Sequence, residues 1–166
     1  VGSKDGALLN TPTWTSGKVN GALSFDGDDY IDTSLIPSIY TTVSLWLKPA
    51  VQVDSSGGGF LGTGGTTSGG KDGWSWEYRA GEKLRINFAK DNDLLGNVFT
   101  PDGSVPLNQW SFITVVVNDT EISVYINGQL SATGTLPSSP DVHDRGLMIA
   151  RNYQYGAGAH TMEGII

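Results

Sequence analysis

The chain predicts an all-β domain, a sandwich or a barrel of short antiparallel strands. Three observations carry this. Apolar and polar residues alternate at period two in run after run, turn-forming residues separate the runs, and no window of about 12 residues or more holds a 3.6-residue period.

The first run, Ala22-Leu23-Ser24-Phe25, enters the turn Asp26-Gly27-Asp28-Asp29 and leaves through Tyr30-Ile31-Asp32-Thr33. Val43, Leu45 and Leu47 then alternate with Ser44, Trp46 and Lys48 until Pro49 ends the run. Trp74, Trp76 and Tyr78 alternate with Ser75, Glu77 and Arg79, so the three aromatics are expected in the core. Ala80-Gly81-Glu82 turns the chain, and Leu84, Ile86 and Phe88 alternate with Arg85 and Asn87. Joining these runs as a hairpin sets Tyr78 opposite Leu84, Trp76 opposite Ile86 and Glu77 opposite Arg85. Ile113, Val115 and Val117 share one face, and Ile122, Val124 and Ile126 share one face beyond Asn118-Asp119-Thr120. Asn127-Gly128 is a favoured hairpin turn. Leu147-Met148-Ile149-Ala150 is a further short strand. Three polar segments, 54–72, 91–108 and 136–145, read as long loops. Trp14 and Trp110 read as packing residues, and Trp46 as packed under a loop.

Length and composition bound the function. At 166 residues the chain is one domain's worth. With 38% hydrophobic residues and a mean hydropathy of −0.16 it can bury a core. No apolar stretch of about 18 residues is present, so no membrane insertion is expected. A net charge of −7 with 10 Lys plus Arg argues against nucleic acid as a partner. The absence of cysteine removes disulfides, thiolate catalysis and zinc–thiolate sites.

Three stretches taken together resemble the bacterial laminin G-like branch of the concanavalin A-like lectin/glucanase superfamily. The first runs from Asp5-Gly6-Ala7-Leu8 through Pro12-Thr13-Trp14 and Gly17-Lys18-Val19-Asn20-Gly21 to Tyr30-Ile31. The second is Thr42-Val43-Ser44-Leu45-Trp46-Leu47-Lys48-Pro49. The third is Trp110 to Val115, followed by Ser123-Val124-Tyr125-Ile126-Asn127-Gly128-Gln129-Leu130 and Leu147 to Arg151. The resemblance implies a two-sheet antiparallel jelly-roll β-sandwich. It implies one laminin G-like domain over residues 1–166, expected to be a fragment of a larger multidomain protein with covalently linked neighbours. It also implies a secreted or cell-surface location of bacterial type. The family closes with an aromatic-x-Gly-x-Ile-Asp-x-Val strand. Met162-Glu163-Gly164-Ile165-Ile166 looks like its opening, so the last strand is expected to be missing, leaving a bare edge.

Some relatives in the superfamily are glycoside hydrolases, which need two carboxylates flanking the scissile bond. Here Arg85 and Asn87 occupy the outward positions of the corresponding strand, and Glu77 is the one acid expected on that face, opposite Arg85. The chain is therefore expected not to be an enzyme. The strings Gly57-x-Gly59-x-x-Gly62 and Gly65 to Lys71 mimic phosphate-binding loops, but no helical pattern follows either.

A non-catalytic, lectin-like carbohydrate-binding module is the function the fold suggests. It would target the protein to a glycan or polysaccharide. The alternative is an adhesion or structural module that contacts protein without recognising sugar. Sugar sites combine an aromatic face with planar polar groups. The candidates are Glu77, Arg85 and Asn87 on the outward sheet face, and Arg151, Tyr153 and Tyr155 on a loop. Asp26, Asp28 and Asp29 crowd one glycine-containing turn, a set of hard oxygen ligands that suits a structural Ca²⁺.

Overall fold

The computed structural model describes residues 5–53, 57–63, 73–90, 93–140, 146–153 and 159–166, with backbone alone for 153, 159 and 160. Among them there is no helix. The first strands in chain order are β1 (Ala7–Leu9), β2 (Thr13–Ser16), β3 (Gly21–Asp26), β4 (Tyr30–Asp32), β5 (Tyr40–Pro49) and β6 (Gly58–Thr63). The middle of the chain forms β7 (Gly73–Arg79), β8 (Lys83–Lys90), β9 (Asp93–Phe99), β10 (Ser111–Asn118) and β11 (Glu121–Ile126). The remainder forms β12 (Gln129–Thr135), β13 (Leu147–Ile149), β14 (Arg151–Tyr153), β15 (Ala159–Thr161) and β16 (Glu163–Ile165).

Two seven-stranded antiparallel sheets make the sandwich. One runs β1-β4-β13-β6-β7-β8-β9 and the other β12-β11-β10-β5-β16-β3-β2. The hairpin β14–β15 forms a third, two-stranded layer against β6 and β7. This is the jelly-roll-type β-sandwich expected from the sequence.

Alternation decides what lies between the sheets. Trp74, Trp76 and Tyr78 are buried, as are Leu84, Ile86 and Phe88 across from them. Ile113, Val115, Val117, Ile122, Val124 and Ile126 meet them from the other sheet. Trp74 stacks on Trp76 at 5.4 Å and 10° and meets Phe88 edge-on at 5.6 Å. Each such aromatic pair contributes about 0.5–1.5 kcal/mol beyond its burial. Burial, with Glu82 nearby, pushes the Tyr78 hydroxyl up to about 12, so this phenol stays neutral in the core. The β7–β8 register is the expected one: Tyr78 faces Leu84, Trp76 faces Ile86 and Glu77 faces Arg85. Turns form where expected too. Asn127 and Gly128 sit at φ 52° and 80°, the left-handed pair a tight hairpin demands.

Three expectations are corrected. The segment 54–72 is not all loop: Gly58–Thr63 is β6, buried throughout in the middle of the first sheet. The segment 91–108 supplies the edge strand β9. Glycine and asparagine dilute the period-two signal of both strands, yet glycine is what lets β6 sit beneath the β14–β15 layer. The stretch read as the opening of the closing strand forms the three-residue β16, which lies between β3 and β5 and pairs with Pro49 and Lys48 alone of β5. Ile166 then exchanges two backbone hydrogen bonds of 3.0 Å with Leu23. Finally, Trp14 is 74% exposed on the edge strand β2, because β1 and β2 leave a cleft between the sheet edges instead of closing it. Trp110 is half-buried, and Trp46 packs at 5.1 Å on Phe112 beneath the Lys18 ammonium.

Gly62 tests the third layer. A Cβ there would fall 2.8 Å from the Asn152 Cβ and 3.0 Å from the Trp74 carbonyl oxygen. Gly62→Ala is expected to lower the unfolding free energy by about 1–3 kcal/mol, as overpacking does. Urea denaturation checks it: an unchanged midpoint would place the β14–β15 layer away from β6.

Candidate functional site

The outward rows of β7, β8 and β9 form one polar surface. From β7 come Ser75, Glu77 and Arg79; from β8 Lys83, Arg85 and Asn87; register then places Asn97 beside Asn87 and Phe99 beside Arg85. The alternation that sends Trp76 and Ile86 inward sends these residues outward.

The surface is not uniformly open. The β14–β15 hairpin covers its β7 side and buries Glu77 completely. One carboxylate oxygen of Glu77 lies 3.0 Å from an Arg79 nitrogen and 3.6 Å from an Arg85 nitrogen. The other accepts long hydrogen bonds of 3.4 Å from the Ser75 hydroxyl and the Asn152 amide. The ion pair foreseen between Glu77 and Arg85 therefore forms, and Arg79 joins it. Burying a carboxylate is tolerable because two guanidinium groups compensate it. Toward β9 the surface opens. Phe99 is 47% exposed, with the Arg85 guanidinium and the Lys83 ammonium each 5.9 Å from its ring centre. Lys83 is also bonded to Asp102 at 2.7 Å. Asn97 is exposed and Asn87 buried. Among the described residues, Arg85 Nε, Asn87 Oδ1 and Asn152 Oδ1 are buried without hydrogen-bond partners.

The sequence-derived candidates thus separate. Glu77, Arg85 and Asn87 share one face as expected, but Glu77 lies beneath the surface. Arg151 points elsewhere, its guanidinium 4.2 Å above the Tyr30 ring. Tyr153 belongs to β14, where its backbone pairs with Ala159, and Tyr155 lies outside the described residues. Phe99 and Asn97 were missed, because 91–108 reads as a loop. Their available signal is the short run Asn97-Val98-Phe99 ahead of the Pro101-Asp102-Gly103 turn.

A second cluster occupies the turn between β3 and β4. Carboxylate oxygens of Asp26, Asp28 and Asp29 lie within 4.8 Å of one another, close enough to share a metal ion. The turn is held from outside: the Thr161 hydroxyl donates to the Gly27 carbonyl, and the Asn10 amide donates to the Asp28 carbonyl at 2.9 Å. Asp29 is 2% exposed. Its Oδ2 accepts from the Asp26 backbone N–H at 3.2 Å, and its Oδ1 has no partner among the described residues. Burial raises the Asp29 pKa above the usual aspartate value. The Asp26 N–H opposes that rise, and the charges of Asp26 and Asp28 add to it.

Comparison with known proteins places this architecture. A laminin G family model, described as the Concanavalin A-like lectin/glucanases superfamily, matches residues 25–166. No curated protein matches the sequence significantly. Among solved structures, CBM40 of the Ruminococcus gnavus IT-sialidase bound to α2,3-sialyllactose is similar, with a TM-score of 0.71 and 14% identity over 87% of this chain and 85% of that one. Domain 4 of AbnA, a GH43 extracellular arabinanase from Geobacillus stearothermophilus, in complex with arabinotriose, gives 0.68 and 17% over 96% and 78%. The carbohydrate-binding module CBM66 from Bacillus subtilis gives 0.54 and 15% over 96% and 92%. At such identities what is shared is the fold. With the family match extending over most of its length, the chain belongs to the laminin G-type family of the concanavalin A-like lectin/glucanases superfamily.

Proposed function

We propose that the chain is a non-catalytic carbohydrate-binding module of a secreted or cell-surface protein. The observation that carries this reading is the exposed Phe99 ring beside Arg85, with Asn87 and Asn97 next along the same face. The ring offers an apolar surface for pyranose C–H groups, and the guanidinium and amides offer planar hydrogen-bonding groups for hydroxyls. The sialyllactose, arabinotriose and sialyl complexes of structurally similar modules support it. Arg85, Asn97 and Phe99 are the proposed contacts, with Asn87 buried beneath the same face; Tyr153 and Tyr155, candidates from the sequence, are proposed to join them. Glu77 is assigned a different part. Buried and bound to Arg79, it positions Arg85 and does not touch sugar. That role also favours binding over hydrolysis, since Glu77 is the single acid on the outward rows of β7 and β8.

Asp26, Asp28 and Asp29 fit Ca²⁺. They are hard oxygen donors, and the unpartnered, buried Asp29 Oδ1 lacks the counter-charge a cation would supply. The ion would fix the β3–β4 turn and its tie to Thr161. A second reading, a module that contacts protein, is favoured by Leu8, Trp14 and Val19, which leave 45%, 74% and 64% of their surface exposed.

A glycan array on this domain, with and without EDTA, separates the two readings; a folded domain that binds no glycan removes the first. Phe99→Ala is expected to weaken glycan binding about 5- to 30-fold, from the loss of about 1–2 kcal/mol of stacking. Its melting temperature should stay within a few degrees, because the ring is half exposed. Calcium should raise the melting temperature, by about 2.7 kcal/mol of added stability at a hundredfold excess over Kd. Asp29→Asn should abolish that shift. Without metal, the raised Asp29 pKa means the folded state holds its proton to higher pH than the unfolded state. Stability from this group is then lost as pH rises through the folded value. Calcium needs the ionised form, so its stabilising effect should fade as pH drops through that same value, read by thermal melts from neutral pH to pH of about 4. Glu77→Gln should cost about 3 kcal/mol of stability, since it leaves Arg79 without its buried partner. A near-neutral result in chemical denaturation would contradict the positioning role.

A further inference from the structure

We infer that the β14–β15 layer is seated by the aspartate turn: with a cation held by Asp26, Asp28 and Asp29 the hairpin is fixed on β6 and β7, and the glycan face beside it is set in place. This rests on the calcium reading of that turn and adds a regulation to the carbohydrate-binding reading. The strands β14 and β15 are three residues each and pair with one another, as a two-stranded sheet outside the two main ones. A two-stranded ribbon of that size is marginal by itself, so what it rests on decides its place.

Two contacts tie its base to the turn. Arg151 and Thr161 face each other at the end of the β14–β15 ladder. The Thr161 hydroxyl donates to the carbonyl of Gly27, the residue between Asp26 and Asp28. The Arg151 guanidinium lies 4.2 Å from the centre of the ring of Tyr30, the residue after Asp29. Both members of the base pair therefore grip the same turn. The other anchors hold the hairpin less closely. The Met162 N–H donates to the Ala150 carbonyl at 3.1 Å and the Ala150 N–H to the Phe60 carbonyl at 2.9 Å, which fixes its root. The Asn152 amide reaches Glu77 at 3.4 Å, a long bond.

The turn is a firm support only once its charge is met. Its three carboxylates lie within 4.8 Å of one another, and among the described residues no Lys or Arg forms an ion pair with any of them. Asp29 is 2% exposed and its Oδ1 has no partner among the described residues, a buried charge that calls for a cation on its own account. Like charges at that range push the turn apart. Gly27, at φ 107° with open space around it, lets its carbonyl move with them. Shared between the three carboxylates, a divalent cation turns that repulsion into attraction, and the Gly27 carbonyl then stays under the Thr161 hydroxyl.

Hydrogen exchange of the whole chain, read by mass spectrometry in calcium chloride and in EDTA, tests the seat. Calcium is expected to slow exchange in 151–153 and 159–161 by about tenfold or more. Thr161→Val should still bind calcium in calorimetry, up to about tenfold more weakly because coupling is reciprocal, and should lose the slowing. Thr161→Ser, which keeps the hydroxyl, should retain it. Where Thr161→Val fails to fold, Tyr30→Leu, which removes the second tie, should reduce the slowing in its place. Glycan affinity should rise about threefold or more with calcium in the parent chain and stay level in Thr161→Val. Calcium binding without slower exchange in the hairpin, a slowing that survives Thr161→Val, or a glycan affinity indifferent to calcium overturns the inference and leaves both earlier readings standing. A chain that binds no calcium overturns it together with the calcium reading alone. A chain that binds calcium and no glycan overturns it together with the carbohydrate-binding reading.

Discussion

A one-residue slip between β7 and β8 would drive Glu77 and Arg85 into the space between the sheets and turn Trp76 and Ile86 out to water. That exchange costs the burial of several aromatic and aliphatic side chains and strands a buried charge, so the register is held from both faces at once. Inside, Trp74 and Trp76 stack with Phe88 against them. Outside, the same pairing brings Glu77 and Arg85 together and carries Arg85 to the rim of Phe99. Core and candidate site are two consequences of one constraint.

The third layer depends on an absence of side chains. A Cβ at Gly58 would meet the Thr161 carbonyl oxygen at 3.2 Å, and one at Gly62 would meet Asn152 at 2.8 Å. Glycine lets β14 and β15 lie directly on β6, and the hairpin then converts half of an open polar face into a buried one. Asn152 is brought to Glu77, and Thr161 to the Gly27 carbonyl in the aspartate turn. The hairpin thus links the two polar clusters. On one flank the sandwich is closed by the same means, with Gly96 seated against Leu136 and Gly134 against Val98. On the other flank β1 and β2 stay apart and leave Trp14 uncovered.

Energetics set the scale on which such a module works. A single exposed aromatic with a few planar polar groups supplies a few kcal/mol, while a millimolar complex already requires about 4 and a micromolar one about 8. Firm attachment to a polysaccharide then comes from several modules acting together, or from charge added to stacking.

Alternation along the chain was enough to determine the all-β class, the inward Trp74, Trp76 and Tyr78, the Glu77–Arg85 pairing and the Asn127-Gly128 turn, because each depends on residues close in sequence and on a period of two. It also placed Asp26, Asp28 and Asp29 in one turn. It did not reveal β6 or β9, whose glycine and asparagine content reads as loop, and so it missed Phe99. Nor did it reveal that Glu77 is covered, that Arg151 turns away to Tyr30, or that Trp14 faces water. Those outcomes depend on which distant segments pack over a given face, here β14 over β6 and β7 and β15 over β6. A local pattern assigns a side chain to one side of a strand; only the assembled layers decide whether that side meets solvent, sugar or another part of the chain.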